Sequence, residues 1–324
     1  MVMRVQETAV SGELNRNTPA VELGNTSIHS AYTLECCVEL TNESGEAYTP
    51  SILDIGAALE NISVQSDNTR YHYSLSGKDI IYKNAMSTKV GSPTRVIDMQ
   101  PATIADEGST ETKFVLFLEE GDVIGLIHDS VTLKASVARE LADGVRITGY
   151  SIKPGIIELV PSSGEAGLAE LAARYGAGYA GALEPKCYAV EQTCQANTEF
   201  TGFFNLPTGA LLRGAMMQWS VAPRQLGLIA TVPSRAELCR THWNTRRAMD
   251  ERMYGTEMPQ NCNYFNFDSE LTNTGLGLDG RAFNRGDYQI ACRADAETRL
   301  RYVSYEMMYP AVSGGALNLG HSIL

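Results

Sequence analysis

Between Tyr288 and Asp295 the chain alternates, with Tyr288, Ile290, Cys292 and Ala294 on one side and Gln289, Arg293 and Asp295 on the other. A period of two over that length marks an extended strand with one buried face. No other feature of the 324 residues constrains the fold as tightly. A short turn at Ala296-Glu297-Thr298 separates this strand from a second apolar one, Arg299 to Tyr309, so a closing hairpin is expected. The first half of the chain has the same arrangement. Val131, Leu133, Ala135 and Val137 alternate with Thr132, Lys134 and Ser136, and Val145-Arg146-Ile147 opens the next strand.

The correspondence extends backwards. Ser76-Gly77-Lys78-Asp79 places a capping hydroxyl three residues before an acid, which starts a short helix through Ile80, Ile81, Asn84 and Ala85. Ser234-Arg235-Ala236-Glu237 has the same form, 158 residues later, and predicts a second helix. Strands are expected at Tyr32–Leu40, Ile62–Val64, Tyr71–Tyr73, Leu211–Trp219 and Leu226–Val232, and Phe114–Leu118 reads as a strand buried on both faces. The chain thus divides into an N-terminal arm at 1–27, a first β body at 28–161, a connector at 162–184, a second β body at 185–310 and a tail at 311–324. Leu168, Leu171, Ala172 and Tyr175 recur at helical spacing in the connector, between Gly164 and Gly176. The arm is polar, lacks periodicity and is expected to be extended or mobile, and the tail is expected to be mobile.

Composition excludes several classes of function. Thirty-eight acidic against 26 basic residues give a net charge of −12, and the chain has no Lys/Arg run of the kind that grips nucleic acid. The apolar stretches all fall short of the roughly 18 residues a membrane span needs. Seven cysteines, an odd number with Cys36 and Cys37 adjacent and no Cys-x-x-Cys, predict buried reduced thiols rather than a disulfide framework.

Chemistry is sparse. Gly275-x-Gly277-x-x-Gly280 matches the dinucleotide fingerprint by letter, but nothing after it can start a helix, so loop glycines are expected. Histidines 29, 72, 128, 242 and 321 stand singly, without metal-ligand spacing, and His72 is expected on a surface or across a strand pair. Arg285-Gly286-Asp287 is read as a loop tripeptide. The acidic loop Glu119-Glu120-Gly121-Asp122 is a solvated turn that leaves structural calcium as the one cofactor to consider. The sequence assigns no catalytic, cofactor-binding or metal residue, and predicts a protein that is not an enzyme.

Two tandem β bodies, each with a capped helix inserted, resemble the double jelly-roll major capsid proteins of tailless, membrane-containing icosahedral viruses of bacteriophage type. The resemblance rests on Leu59-Glu60-Asn61-Ile62-Ser63-Val64 and Tyr73-Ser74-Leu75-Ser76-Gly77-Lys78-Asp79 in the first half. In the second it rests on Tyr264-Phe265-Asn266-Phe267, Leu276-Gly277-Leu278-Asp279 and Tyr302-Val303-Ser304-Tyr305-Glu306. It implies an all-β fold of two tandem eight-stranded jelly rolls with short inserted helices. It further implies a virion protein, made in the host cytoplasm, that assembles as pseudo-hexagonal homotrimers into an icosahedral shell around an internal membrane. Its partners would be neighbouring capsid trimers and minor capsid or penton proteins, with no direct nucleic-acid binding. The apolar closing strand, Val303, Tyr305, Met307 and Tyr309 with Tyr302 and Met308, points the same way if a second subunit covers it. A tandem β-sandwich carbohydrate-binding or adhesin protein is the alternative. A bicupin enzyme is disfavoured by the lack of a His-x-His pair.

Overall fold

The structure, a computed structural model, describes residues 4–86, 101–176, 181–254, 259–267 and 277–309. Described residues up to Ala85, from 101 to Pro185, and Tyr309 form one compact unit, and Lys186 to Met308 form a second.

The first unit carries β1 (Arg4–Ala9), β2 (Ala20–Glu22), β3 (Ile28–Asn42), β4 (Asn61–Ser66), β5 (Arg70–Leu75) and β6 (Ser109–Leu118). It continues with β7 (Val123–Ile124), β8 (Val131–Ser136), β9 (Glu140–Ala142) and β10 (Val145–Val160). Its principal strands form two sheets, ordered β1-β10-β3-β6 and β2-β8-β4-β5, while β7 and β9 are short additions to β3 and β10. The second unit carries β11 (Glu184–Cys194), β12 (Thr201–Asn205), β13 (Leu211–Trp219), β14 (Gln225–Ala230) and β15 (Ala236–His242). After these come β16 (Cys262–Asn266), β17 (Leu278–Asp279), β18 (Tyr288–Arg293) and β19 (Thr298–Met308). Here the sheets are β11-β19-β13-β16 and β12-β18-β14-β15, with β17 beside β13.

Counting each unit's eight principal strands in chain order, both units build one sheet as 1-8-3-6 and the other as 2-7-4-5. That strand order is the jelly roll, in which consecutive strands cross between two facing sheets and few edges are left bare. The expected all-β fold of two tandem eight-stranded rolls is therefore the fold of this chain.

The closing strands are not a hairpin. β18 pairs with β12 and β14, whereas β19 pairs with β13 in the other sheet. Ile290 and Cys292 of β18 and Leu300 and Tyr302 of β19 face one core from opposite sheets. Alternation reveals which face is buried but not which strand lies alongside, and here the two readings diverge. The equivalent strands of the first unit, β8 and β10, likewise lie in different sheets.

The arm at 1–27 is ordered where it is described. β1 pairs with β10 from Arg4↔Val160 to Ala9↔Gly155, and β2 pairs with β8. These supply the first and second strands of the first roll, whose ladders they complete; the tail at 311–324 lies outside the described residues. β6 alternates rather than burying both faces, with Phe114, Leu116 and Leu118 inside and Val115 and Phe117 half-buried.

Helices α1 (Ile52–Ala58), α2 (Gly77–Met86), α3 (Gly164–Tyr175) and α4 (Trp243–Tyr254) complete the described residues, with a 3₁₀ turn at Gly125–Ile127. Ser76 caps α2 as its sequence requires: its Oγ accepts from Asp79 N at 3.1 Å, and Asp79 Oδ2 accepts from Ser76 N at 3.0 Å. Ser51 caps α1 the same way. The box at Ser234 starts no helix. Ala236–His242 is instead a strand laid along β14, from Leu226↔Thr241 to Ala230↔Ala236, and α4 begins only at Trp243. A ladder of sheet hydrogen bonds with an apolar neighbour outweighs a cap worth about 1 kcal/mol. Even so, α2 and α4 occupy the same place, between the fifth and sixth strands of their rolls. α3 spans Gly164–Tyr175 and buries Leu171 and Tyr175 against Ile28, Ile124, Leu126 and Ala182.

Candidate functional site

The first unit encloses a cluster of charged and polar side chains that no sequence spacing announces. Asp67 and Asn68 adopt positive φ in the turn between β4 and β5, which aims the Asp67 carboxylate at the segment after the 3₁₀ turn. Its Oδ1 accepts from Asp129 N at 2.8 Å and its Oδ2 faces His128 Nδ1 at 2.9 Å. On the other side of that imidazole, Nε2 lies 2.9 Å from Glu184 Oε1, which also accepts from Ile124 N at 3.0 Å. Glu184 Oε2 lies 3.4 Å from Arg70 Nη2 and accepts no hydrogen bond from the described residues.

His72, expected on a surface or across a strand pair, is fully buried beside this group and reaches across to the neighbouring strand, its ring centroid 5.6 Å from that of His128. Pro185 O, a pure acceptor, lies 3.3 Å from Nδ1, and Ser66 Oγ lies 3.0 Å from Nε2. This holds the proton on Nδ1. Further along, His29 Nδ1 is 3.0 Å from Tyr32 OH. Glu158 takes hydrogen bonds from Ser27 and Thr8.

The environment splits the three histidines. Burial lowers His72 and His29 to about 4, against the pull of Glu184 and Glu158 respectively, so both are neutral. Burial would also lower His128, but hydrogen bonds and charge from Glu184 and then Asp67 outweigh it and raise its pKa. Glu184 would be raised by burial, and the hydrogen bond and charge of His128, with the charge of Arg70, bring it below the usual carboxylate range. The result is an imidazolium clamped between two carboxylates.

Three ligand-capable atoms, one each from His72, His128 and Glu184, lie within 4.8 Å of one another. A metal there would have to displace the proton between His128 and Glu184 and compete with Arg70. Among the described residues the cluster is held by the His128 bridge between Asp67 and Glu184, while Glu184 Oε2 accepts no hydrogen bond and Arg70 Nε donates none. In the acidic loop, Glu120 is taken by Lys83 at 2.6 Å, and Asp122 by Arg174 at 2.6 Å and Tyr175 OH at 2.9 Å. Those carboxylates are already neutralised by protein cations.

The remaining candidates fall in loops. Gly275 lies outside the described residues. Gly277, at φ +94°, brings its backbone against Leu212 O, where a Cβ would approach to 2.3 Å, and Gly280 N donates to Ala210 O at 2.8 Å. These glycines serve close approach to β13, not a phosphate. Asp287 Oδ2 accepts from Asn284 N at 2.8 Å and closes the turn that holds Arg285-Gly286-Asp287. His242 is exposed and His321 lies outside the described residues.

The second unit keeps its buried charges in pairs. Arg246 bonds Asp250 at 2.7 Å and lies 4.2 Å from the Phe265 ring centroid, and Asp250 Oδ2 accepts from Tyr264 N at 3.0 Å. Glu306 accepts from Lys186 Nζ at 3.1 Å, Tyr188 OH at 2.7 Å and Ser304 Oγ at 2.7 Å. β19 is buried along both faces by its own chain, from Leu300 and Tyr302 at 0% to Met307 at 7% exposed. A second subunit is not needed to cover it. Tyr309, just past β19, is 43% exposed, and Leu238 on β15, which is a sheet edge, and Met249 and Met253 on α4 are likewise 42–43% exposed. None of the described helices is long and apolar enough to cross a membrane.

No protein-family model matches the chain, and no curated protein matches it. Solved structures do. The STIV major capsid protein (MCP) aligns with TM-score 0.77 at 13% identity, over 97% of this chain and 98% of that one. A chain of Sulfolobus turreted icosahedral virus aligns with TM-score 0.75 at 12% identity, over 95% and 90%. The major capsid protein of bacteriophage PM2 aligns with TM-score 0.59 at 11% identity, over 96% and 99%. The chain shares the double jelly-roll fold of these solved structures over 95–97% of its length.

Proposed function

We propose that this chain is a viral major capsid protein that self-assembles into an icosahedral shell. The observation that carries the reading is end-to-end correspondence: both rolls and their connector match capsid chains that are themselves covered over 90–99% of their length. A fold alone does not fix a function. Two rolls per chain, taken three times, give six rolls and a near-hexagonal tile, so the working unit is a homotrimer. Such tiles would meet neighbouring trimers, with minor capsid or penton proteins closing the vertices and an internal membrane beneath, in a virion built in the host cytoplasm. The acidic balance of −12 supports a shell that does not grip the genome directly. Edge strand β15 and helix α4, with Leu238, Met249 and Met253 exposed, give the tile an apolar rim to bury. The reading requires no catalytic residue and no cofactor.

Light scattering on the purified protein tests it. The expected species is a trimer of 3 × 35.2 = 105.6 kDa, which electron microscopy resolves as six-lobed tiles. A folded, monodisperse monomer at micromolar concentration would overturn the trimer and favour the carbohydrate-binding alternative.

A further inference from the structure

The core of the second unit holds a cysteine pair that the capsid reading does not use. Cys194 ends β11 in one sheet and Cys292 sits on β18 in the facing sheet. Both are buried, at 2% and 0% exposed, and their sulfurs lie 3.1 Å apart across a separation of 98 residues. A disulfide bond measures about 2.05 Å, so roughly 1 Å of closure separates the pair from bonding.

The backbones are already fixed for that closure. Asn197 N donates to Ala294 O at 2.8 Å, and Ala294 N donates back to Asn197 Oδ1 at 3.2 Å, which clamps the segment after Cys194 to the segment after Cys292. The same Asn197 turns its Nδ2 toward Cys194 Sγ at 3.7 Å. Asn197 and Ala294 also line an open cleft of about 490 Å³ with Ala196, Thr198, Thr201 and Asp295, which brings solvent to within one side chain of the pair.

We propose that Cys194 and Cys292 are a cross-linking site, oxidised by a small-molecule disulfide of the glutathione type to a disulfide that staples the two sheets of the second roll. The hydrogen bond from Cys292 lowers the Cys194 thiol, which makes Cys194 the attacking group, while Cys292 is raised by the same contact. The Cys194 thiolate attacks one sulfur of the reagent, forms a mixed disulfide and releases one glutathione thiolate. Cys292 passes its proton to the released glutathione thiolate and attacks the Cys194 sulfur, releasing the second glutathione, which takes up the proton that Cys194 gave to solvent on ionising. Two protein thiols are oxidised, one reagent disulfide is reduced to two thiols, and atoms and electrons balance. The other five cysteines stay reduced. The proposal stands whether or not the chain builds a capsid.

The full chain, incubated with oxidised glutathione and then denatured without reductant, tests it. Thiol titration should fall from seven to five, and non-reducing peptide mapping should join the Cys194 and Cys292 peptides. Closing a loop of this length should raise the melting temperature of the second unit by roughly 5–15 °C. In Cys292→Ala, glutathione should remain on Cys194, because the resolving thiol is gone. Seven remaining thiols in the wild type, a link between other cysteines, or a glutathione adduct that persists on wild-type Cys194 would each overturn the assignment. The wild-type map decides the matter even if the variant does not fold.

Discussion

The two rolls share one strand order and fill it with different chemistry. The first encloses His29, His72 and His128 with Glu158, Glu184 and Arg70 nearby, and its cluster is joined by hydrogen bonds. The second packs Phe204, Met217, Trp219, Phe265, Phe267 and Tyr302 around its cysteines, and among its described residues the one histidine, His242, is exposed. The jelly roll therefore does not dictate what fills it; any interior that alternates correctly and leaves no stranded charge will serve. What differs is the response to conditions. Histidines titrate near neutrality, whereas a core of aromatics and Arg–Asp pairs does not.

The largest expected effect separates the rolls by pH. His29 and His72 are depressed to about 4 in the folded chain from an ordinary 6.5, so the unfolded chain takes up protons first on acidification. Their contribution is complete above about pH 6.5 and is lost as pH falls toward 4, on the order of 2–3 kcal/mol apiece. His128 runs the other way: its pKa is raised, so its contribution is complete below about 6.5 and is lost as pH climbs through the folded value. Both tryptophans, Trp219 and Trp243, lie in the second roll. Acidification from pH 7 to 4.5 should thus lower the melting of the whole chain seen by far-ultraviolet circular dichroism. Tryptophan fluorescence should move much less. Equal shifts in the two signals would erase the contrast.

Phe265→Ala probes the other side of the comparison. Phe265 is fully buried, lies parallel to Phe267 at 6.4 Å between centroids and carries Arg246 over its face. Its loss should cost about 3–5 kcal/mol, read by denaturant unfolding monitored through tryptophan. A cost below about 1 kcal/mol would mean that the second core is looser than its packing implies.

The smallest effect compares two serines of the same sequence motif. Ser76→Ala removes a formed cap from α2 and should cost about 1 kcal/mol. Ser234→Ala removes nothing of the kind, since strand β15 follows it, and should stay within about 0.5 kcal/mol. Equal costs in a thermal melt would show that the second box also forms.

How much was legible follows from these particulars. The inward face of β18 could be read from its alternation, the burial of β19 on both sides from its apolar run, and α2 and α3 from a capping box and helical spacing. The polar cluster could not. His72, His128 and Glu184 sit 56 residues apart in succession, and only the β4–β5 turn, the 3₁₀ turn and the start of β11 bring them together. Sequence spacing detects ligands held on one helix or one loop, and this group is assembled from three.

By itself the sequence determined that the chain is all-β, that it repeats, and which side of most strands turns inward, because side-chain alternation is a local property of an extended backbone. Tertiary structure alone decided the pairing. It placed β18 and β19 in opposite sheets, drew residues 4–9 and 20–22 out of an apparent arm into the first roll, and converted the segment after Ser234 from helix to strand. The first two outcomes were set by ladders of hydrogen bonds to residues far along the chain, and the third by pairing with the neighbouring β14 from Ala230↔Ala236 onward, a free energy that a capping box does not report.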